Sequence, residues 1–186
     1  MNKMLNVVPY DAGYQKLASF FESGNDYLDR FLREDLSLAE WYGKTYILLS
    51  DDGEAIAGYY NISVGSVEQI LNGEHSRIGG AAHINCFALD KRYQGLLQAT
   101  TPDGKKMNLS DFLLVDCIER ILDIRSLIGF SFITLCSTRR GHSLYLRNDF
   151  EALDEDLVFS TEDPVANRAG VDEGTCIPMY LPLDAC

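Results

Sequence analysis

Seven basic residues fall in two short stretches of this chain. Lys91, Arg92, Lys105 and Lys106 make up one, and Arg139, Arg140 and Arg147 the other; Asp103 is the only acid in either stretch. Clustered cations bind anions, phosphate groups above all. If both stretches lie on one side they form a positive rim; otherwise each is an ordinary charged surface. Tyr145 lies inside the second stretch. A phenol with an unperturbed pKa of about 10 stays protonated at pH 7 and can donate a proton. Proton acceptors near an apolar strand are Glu74, His75, His83, Asn85 and Cys86, and an imidazole such as that of His83 has the suitable intrinsic pKa. The five cysteines are scattered, no C-x-x-C pair occurs and His is scarce. That spacing argues against a structural zinc site and fits reduced thiols in a cytosolic protein.

These residues need elements to position them. LNVVPY (5–10) reads as a first strand, followed by a helix capped by Ser23 or Asn25, with Tyr27, Leu28, Phe31, Leu32 and Leu36 on its buried face. KTYILLS (44–50), the turn DDGE and AIAGYYNISVGSV (55–67) give a strand–turn–strand signal. HINCFALD (83–90) is a further strand. Residues 110–126 form an amphipathic helix with Ser110 as its N-cap, 128–137 a strand, 139–150 a short helix and 176–183 a last strand. Pro178 and Pro182 suit that last strand to an edge or irregular position. The order β-α-β-β-β-α-β-α-β predicts an α/β layer built on a mixed sheet. The length suits a single domain over 1–186.

The stretch FALDKRYQG (87–95) ends one strand, an amphipathic helix and a second buried strand follow, and a short helix then carries SLYLRNDF (143–150). This order resembles the GNAT acetyltransferases. SGNDYLDRFL (23–32), GYYNISVGSV (58–67) and MYLPL (179–183) are similar to phrases of a bacterial subgroup that includes acetyltransferase toxins of toxin–antitoxin pairs. The resemblance implies a GNAT-like α/β fold, with a central mixed, mostly antiparallel twisted sheet flanked by helices. It also implies acetyl-CoA as acetyl donor and transfer to a primary amine by direct attack.

In the family, a Q/R-x-x-G-x-G/A turn binds the pyrophosphate through bare backbone amides at a helix N-terminus, a favourable site for an anion. Two registers are open here: Arg92, Gly95 and Leu97, or Gln94, Leu97 and Ala99. Each lacks a glycine, and TTPDGKKMNL (100–109) intervenes before the helix. The insertion reshapes the loop, and Lys105 and Lys106 are candidates to supply its positive charge; as solvated loop tips they would not. The resemblance further assigns the backbone of Phe87, Ala88 and Leu89 to the thioester oxygen and the pantetheine arm, although their apolar side chains also read as core. Tyr145 falls on the position of the general acid that protonates the CoA thiolate.

The chain has 186 residues, 16 Lys plus Arg and 28 Asp plus Glu, a net charge of −12. Residues 149–173 hold nine acids and one base, and so account for −8 of it. An acidic balance argues against general nucleic-acid or anionic-membrane binding but leaves room for a local anion site. A tRNA acceptor, as in the toxin subgroup, is therefore not favoured by charge. Other expected partners are a basic antitoxin facing the acidic segment and a second copy of the chain. No run reaches the length a spanning helix needs, and no signal peptide is visible, so a cytoplasmic location is expected. The alternative to an enzyme is a non-catalytic GNAT-like binding module, motivated by the altered glycine turn.

Overall fold

The structure, a computed structural model, describes residues 6–100, 104, 106–161 and 176–183. It divides into two compact units. One holds the chain up to Asn61 together with Cys86–Arg120; the other holds Ile62–Asn85 and the chain from Ile121 onward.

In the first unit, β1 (Val7–Pro9) pairs antiparallel with β2 (Lys44–Leu49), Val8 opposite Ile47. A short helix α1 (Gln15–Ala18) leads to α2 (Asp26–Arg33). Asn25 caps α2: its side chain accepts from the amides of Tyr27 and Leu28 at 3.0 and 3.2 Å, satisfying two of the donors a helix start leaves open. Asp26 and Asp29 in the first turn and Arg30 and Arg33 in the last complement the helix dipole. The helix ends before Leu36, because the Ser37 hydroxyl donates to the Leu32 and Glu34 carbonyls and tightens Asp35–Leu38 into a 3-10 turn. Phe31 and Leu32 enter a core with Tyr10, Phe21, Tyr42, Ile47, Ile56 and Tyr59. The Tyr59 ring stacks on Phe31 at 6.0 Å and meets Phe21 edge-on at 5.4 Å, while its hydroxyl donates to the Leu28 carbonyl at 2.7 Å. Trp41, the one tryptophan, is 74% exposed beside Tyr42.

Strands β3 (Ile56–Leu71) and β4 (Glu74–Leu89) are far longer than the periodicity suggests. Asn72 and Gly73, at φ 54° and 82°, make the tight turn between them, as the I′ hairpin geometry requires. Gly58 is needed for close approach, since a Cβ there would meet Leu89 Cδ2 at 2.5 Å and the Ala88 carbonyl at 2.9 Å. The insertion is itself a β-hairpin: β5 (Leu97–Thr100) pairs antiparallel with β6 (Lys106–Asn108). Helix α3 (Leu109–Leu127) follows, with Leu113, Leu114 and Cys117 fully buried. Ser110 lies inside this helix rather than capping it; the Asp111 carboxylate takes the Asn108 amide at 2.8 Å instead.

In the second unit β3 pairs antiparallel with β9 (Leu157–Thr161), Val67 opposite Phe159. Part of the acidic segment is thus a sheet strand; its residues 162–173 lie outside the described ones. β4 pairs parallel with β7 (Phe132–Ser137) over Ala81–Ile84. β10 (Ile177–Pro182) pairs antiparallel with β7 along its whole length and with the two-residue β8 (Glu151–Ala152) at Met179 and Tyr180. The last strand is therefore covered on both sides, rather than being the free edge its prolines suggest. Strand order is β1-β2-β3-β4-β7-β10-β8, with β9 on β3. This is the expected mixed, mostly antiparallel sheet. Cys136 and Cys176 form a disulfide, so the expectation of reduced thiols is corrected for this pair. Among the described residues no helix is long and apolar enough to cross a membrane.

Candidate active site

The two groups of candidate residues lie one in each unit. In the first, Phe87, Ala88 and Leu89 close β4. The parallel register with β7 stops at Ile84, five residues before β4 does. Asp90 follows, buried to 1% exposure. Its carboxylate accepts from the Arg92 amide (3.0 Å), Arg92 Nε (2.8 Å), Arg92 Nη2 (3.0 Å) and the Glu22 amide (3.1 Å). Burial alone would raise its pKa, but the bonds from Arg92 and from the Glu22 amide outweigh it and hold the carboxyl below its usual range. The Lys91 amide donates to the Glu22 carbonyl at 2.7 Å.

Gln94 turns inward. Its amide nitrogen donates to the Ser23 and Leu89 carbonyls, both at 2.8 Å. Ser23 is held in turn by Asp29, which accepts from its amide at 2.7 Å and its hydroxyl at 2.5 Å. The exit of β4 is thereby fastened to the segment that starts α2. Gly95, at φ 73°, turns the chain with open space where a Cβ would be. Leu97 and Ala99 then lie on β5, opposite Asn108 and Met107. Their backbone belongs to a strand, and α3 starts only at Leu109, with the buried Asp111 carboxylate in its first turn. Lys106 is exposed on β6, and Lys105 lies outside the described residues.

Helix α3 is anchored to the sheet by a polar set in the same unit. Tyr60 donates to Asp116 at 2.5 Å and accepts from Arg120 Nε at 2.8 Å. The Arg120 guanidinium lies 4.2 Å over the Tyr46 ring. Burial, followed by the nearby Cys117 and Asp116, pushes the Tyr60 phenol well up, so it stays a donor.

In the second unit, α4 (His142–Leu146) carries Tyr145. The turn before it is set by the Gly141 amide donating to Thr138 Oγ1 at 3.1 Å. Tyr145 is 6% exposed, its ring edge-on to Phe150 at 5.8 Å. Its carbonyl accepts from the amides of Asn148 and Phe150, at 3.0 and 3.1 Å, and Asp149 adopts φ 66° within that turn. Arg139 and Arg140 are exposed just before α4. His83 is fully buried, Nδ1 2.8 Å from Thr134 Oγ1 and the ring against Phe159; His75 pairs with Glu68 at 3.1 Å near the hairpin tip.

Sequence reasoning missed Asp90, Asp111 and His142. Asp90 had a signal, an acid placed directly between an apolar strand and two bases. His142, one turn before Tyr145, has a buried Nδ1 with no hydrogen-bond partner among the described residues. No spacing rule marks such an atom.

No family model and no curated protein matches this sequence. Solved structures do. A crystal structure of AtaTR bound with acetyl-CoA superposes with a TM-score of 0.68 at 16% identity, over 96% of this chain and 93% of that one. The KacTA–DNA complex gives 0.64 at 19% identity, over 96% and 93%. A tyrosine-to-phenylalanine mutant of KacT gives 0.66 at 16% identity, over 97% and 95%. The fold is that of the GNAT-type toxins. In this chain the β5–β6 pair stands between Gly95 and α3, and the side chains of both Arg92 and Gln94 bond to the protein itself.

Proposed function

We propose that this chain is an acetyl-CoA-dependent N-acetyltransferase of the toxin type, moving an acetyl group to a primary amine. The observation that carries the reading is the shared fold over nearly the whole chain with a toxin solved with acetyl-CoA. The end of β4 fits an extended ligand arm, because the strand continues five residues past its parallel register with β7. Acetyl-CoA, when bound, supplies an activated acyl group. The backbone of Phe87, Ala88 and Leu89 would hold the thioester and pantetheine region, and Gly95 with Lys91, Arg92 and Lys106 would supply the contacts to the phosphates; the further candidate Lys105 lies outside the described residues. Leu97 and Ala99 shape that loop through β5. Tyr145 would act as general acid to the departing thiolate, since a phenol is ordinarily protonated at neutral pH and can donate.

The start of α3 supports a second reading. Asp111 puts a buried carboxylate in the first turn of α3, which would repel an anion there and suits a binding module without turnover. Titration calorimetry with acetyl-CoA separates the two. The enzymatic reading expects saturable binding, and no heat or thermal stabilisation at millimolar ligand removes it. A basic antitoxin, a second copy of the chain and a cytoplasmic location belong to this proposal, as antitoxin complexes are known for AtaT. Labelled acetyl-CoA incubated with charged tRNA tests the toxin version, and RNA without label rejects it.

A further inference from the structure

The stretch between Cys136 and Cys176, 40 positions apart, contains α4 with Tyr145, β8 and β9. Their Cα atoms are 5.3 Å apart, inside the range a disulfide spans without backbone movement. Cys136 is the penultimate residue of β7. The next residue, Ser137, donates from its hydroxyl to the Thr138 carbonyl at 2.8 Å, and Thr138 in turn accepts the Gly141 amide. These bonds form the turn into α4. Cys176 immediately precedes Ile177, the partner of Ser137 across the ladder. The bond therefore clamps the point from which the Tyr145 helix departs.

Both cysteines are partly exposed, whereas Cys86 and Cys117 are buried. Burial, reinforced by Asp116, pushes the Cys117 thiol far up, which keeps it protonated and inert. Among the described cysteines, reactivity is thus confined to the pair that can bridge.

We propose that Cys136–Cys176 is a reversible thiol–disulfide site that sets how firmly the Tyr145 segment is held, the oxidised form being the competent one. In the opening step a dithiol reductant attacks one sulfur as a thiolate. The S–S bond breaks, a mixed disulfide forms, and the second thiol of the reductant displaces the protein sulfur. The protein gains two electrons and two protons as two thiols, and the reductant leaves as its disulfide. A low-molecular-weight disulfide reverses the exchange. Cytosolic disulfides are mostly of this transient, sensing kind.

The effect on turnover rests on the acetyltransferase reading; the structural effect does not. The test uses the full chain equilibrated with oxidised or reduced dithiothreitol. Alkylation and peptide mapping should find Cys136 and Cys176 linked in the first state and both alkylated in the second. Amide exchange across 142–150 should quicken about tenfold on reduction, and Cys176→Ser should show the fast exchange in both states. Transfer to charged tRNA or, failing that, to polylysine should fall about tenfold on reduction, with acetyl-CoA affinity unchanged. Free thiols at both positions without reductant, or identical exchange in the two states, would overturn the proposal. Absence of transfer in either state would overturn the acetyltransferase reading, and mapping and exchange would still decide the switch.

Discussion

The exit of β4 and the helix of Tyr145 are held by different means. Around Asp90 every fastening is polar: one carboxylate takes four donors, and Gln94 bridges two carbonyls. Around Tyr145 the fastening is a short helix, an aromatic edge contact, carbonyl bonds and a covalent link at the foot. A polar network specifies one geometry and is costly to leave half satisfied. A packed tyrosine keeps its hydroxyl chemistry while its ring provides the anchor. Residues proposed for a binding motif can therefore serve the loop itself, while the residue proposed as general acid sits in a packed helix.

The largest expected effect separates the two regions directly. Tyr145→Phe should lower turnover by about a hundredfold or more, the usual worth of a general acid, with acetyl-CoA affinity unchanged by calorimetry. An unchanged rate would remove Tyr145 from the mechanism. The ring and its edge contact with Phe150 remain, so the fold should be kept.

Asp90→Ala should instead act on stability, by about 1–3 kcal/mol, because the Glu22 and Arg92 amides lose their acceptor while the half-exposed Arg92 guanidinium turns to water. The pH dependence has a fixed sign. The folded pKa of Asp90 is depressed, so its contribution is fully present above the unfolded value and fades as pH falls through the folded one. Denaturant melts of wild type and Asp90→Asn should therefore converge in acid. Parallel curves at all pH would deny Asp90 this role.

Gly58→Ala tests packing under the same strand. The added carbon meets Leu89 and the Ala88 carbonyl, so a loss of about 1–3 kcal/mol is expected by chemical denaturation. Gln94→Leu is smaller, about 1–2 kcal/mol for two bonds. Its value lies in binding: an inward Gln94 predicts unchanged acetyl-CoA affinity, whereas a fall would show the side chain on the phosphates.

Much of the scaffold was legible. Helix α3, the strands around 44–49 and 132–137 and the Asn25 cap follow from periodicity and capping. The outer half of the β3–β4 hairpin was not, because QILNGEHSRIGG is polar and its pattern is weak; the Asn72–Gly73 dipeptide was the signal to read. The β5–β6 hairpin hid behind the turn residues of the insertion. Position along the chain singled out Tyr145 and Gln94 as candidates, but only tertiary structure shows Gln94 turned inward. Ser110 looked like a cap because Ser is a good one; Asp111 prevailed by reaching back to the Asn108 amide. The disulfide was invisible, since 40 positions of separation carry no pairing information.

Trp41 has a practical consequence for all these measurements. As the one indole, it already faces water in the folded protein, so its fluorescence should be red-shifted before denaturant is added and change little on unfolding. Melting is better followed by circular dichroism. Conversely, a blue shift on adding a partner would report that the partner covers this face of the first unit, with no label required.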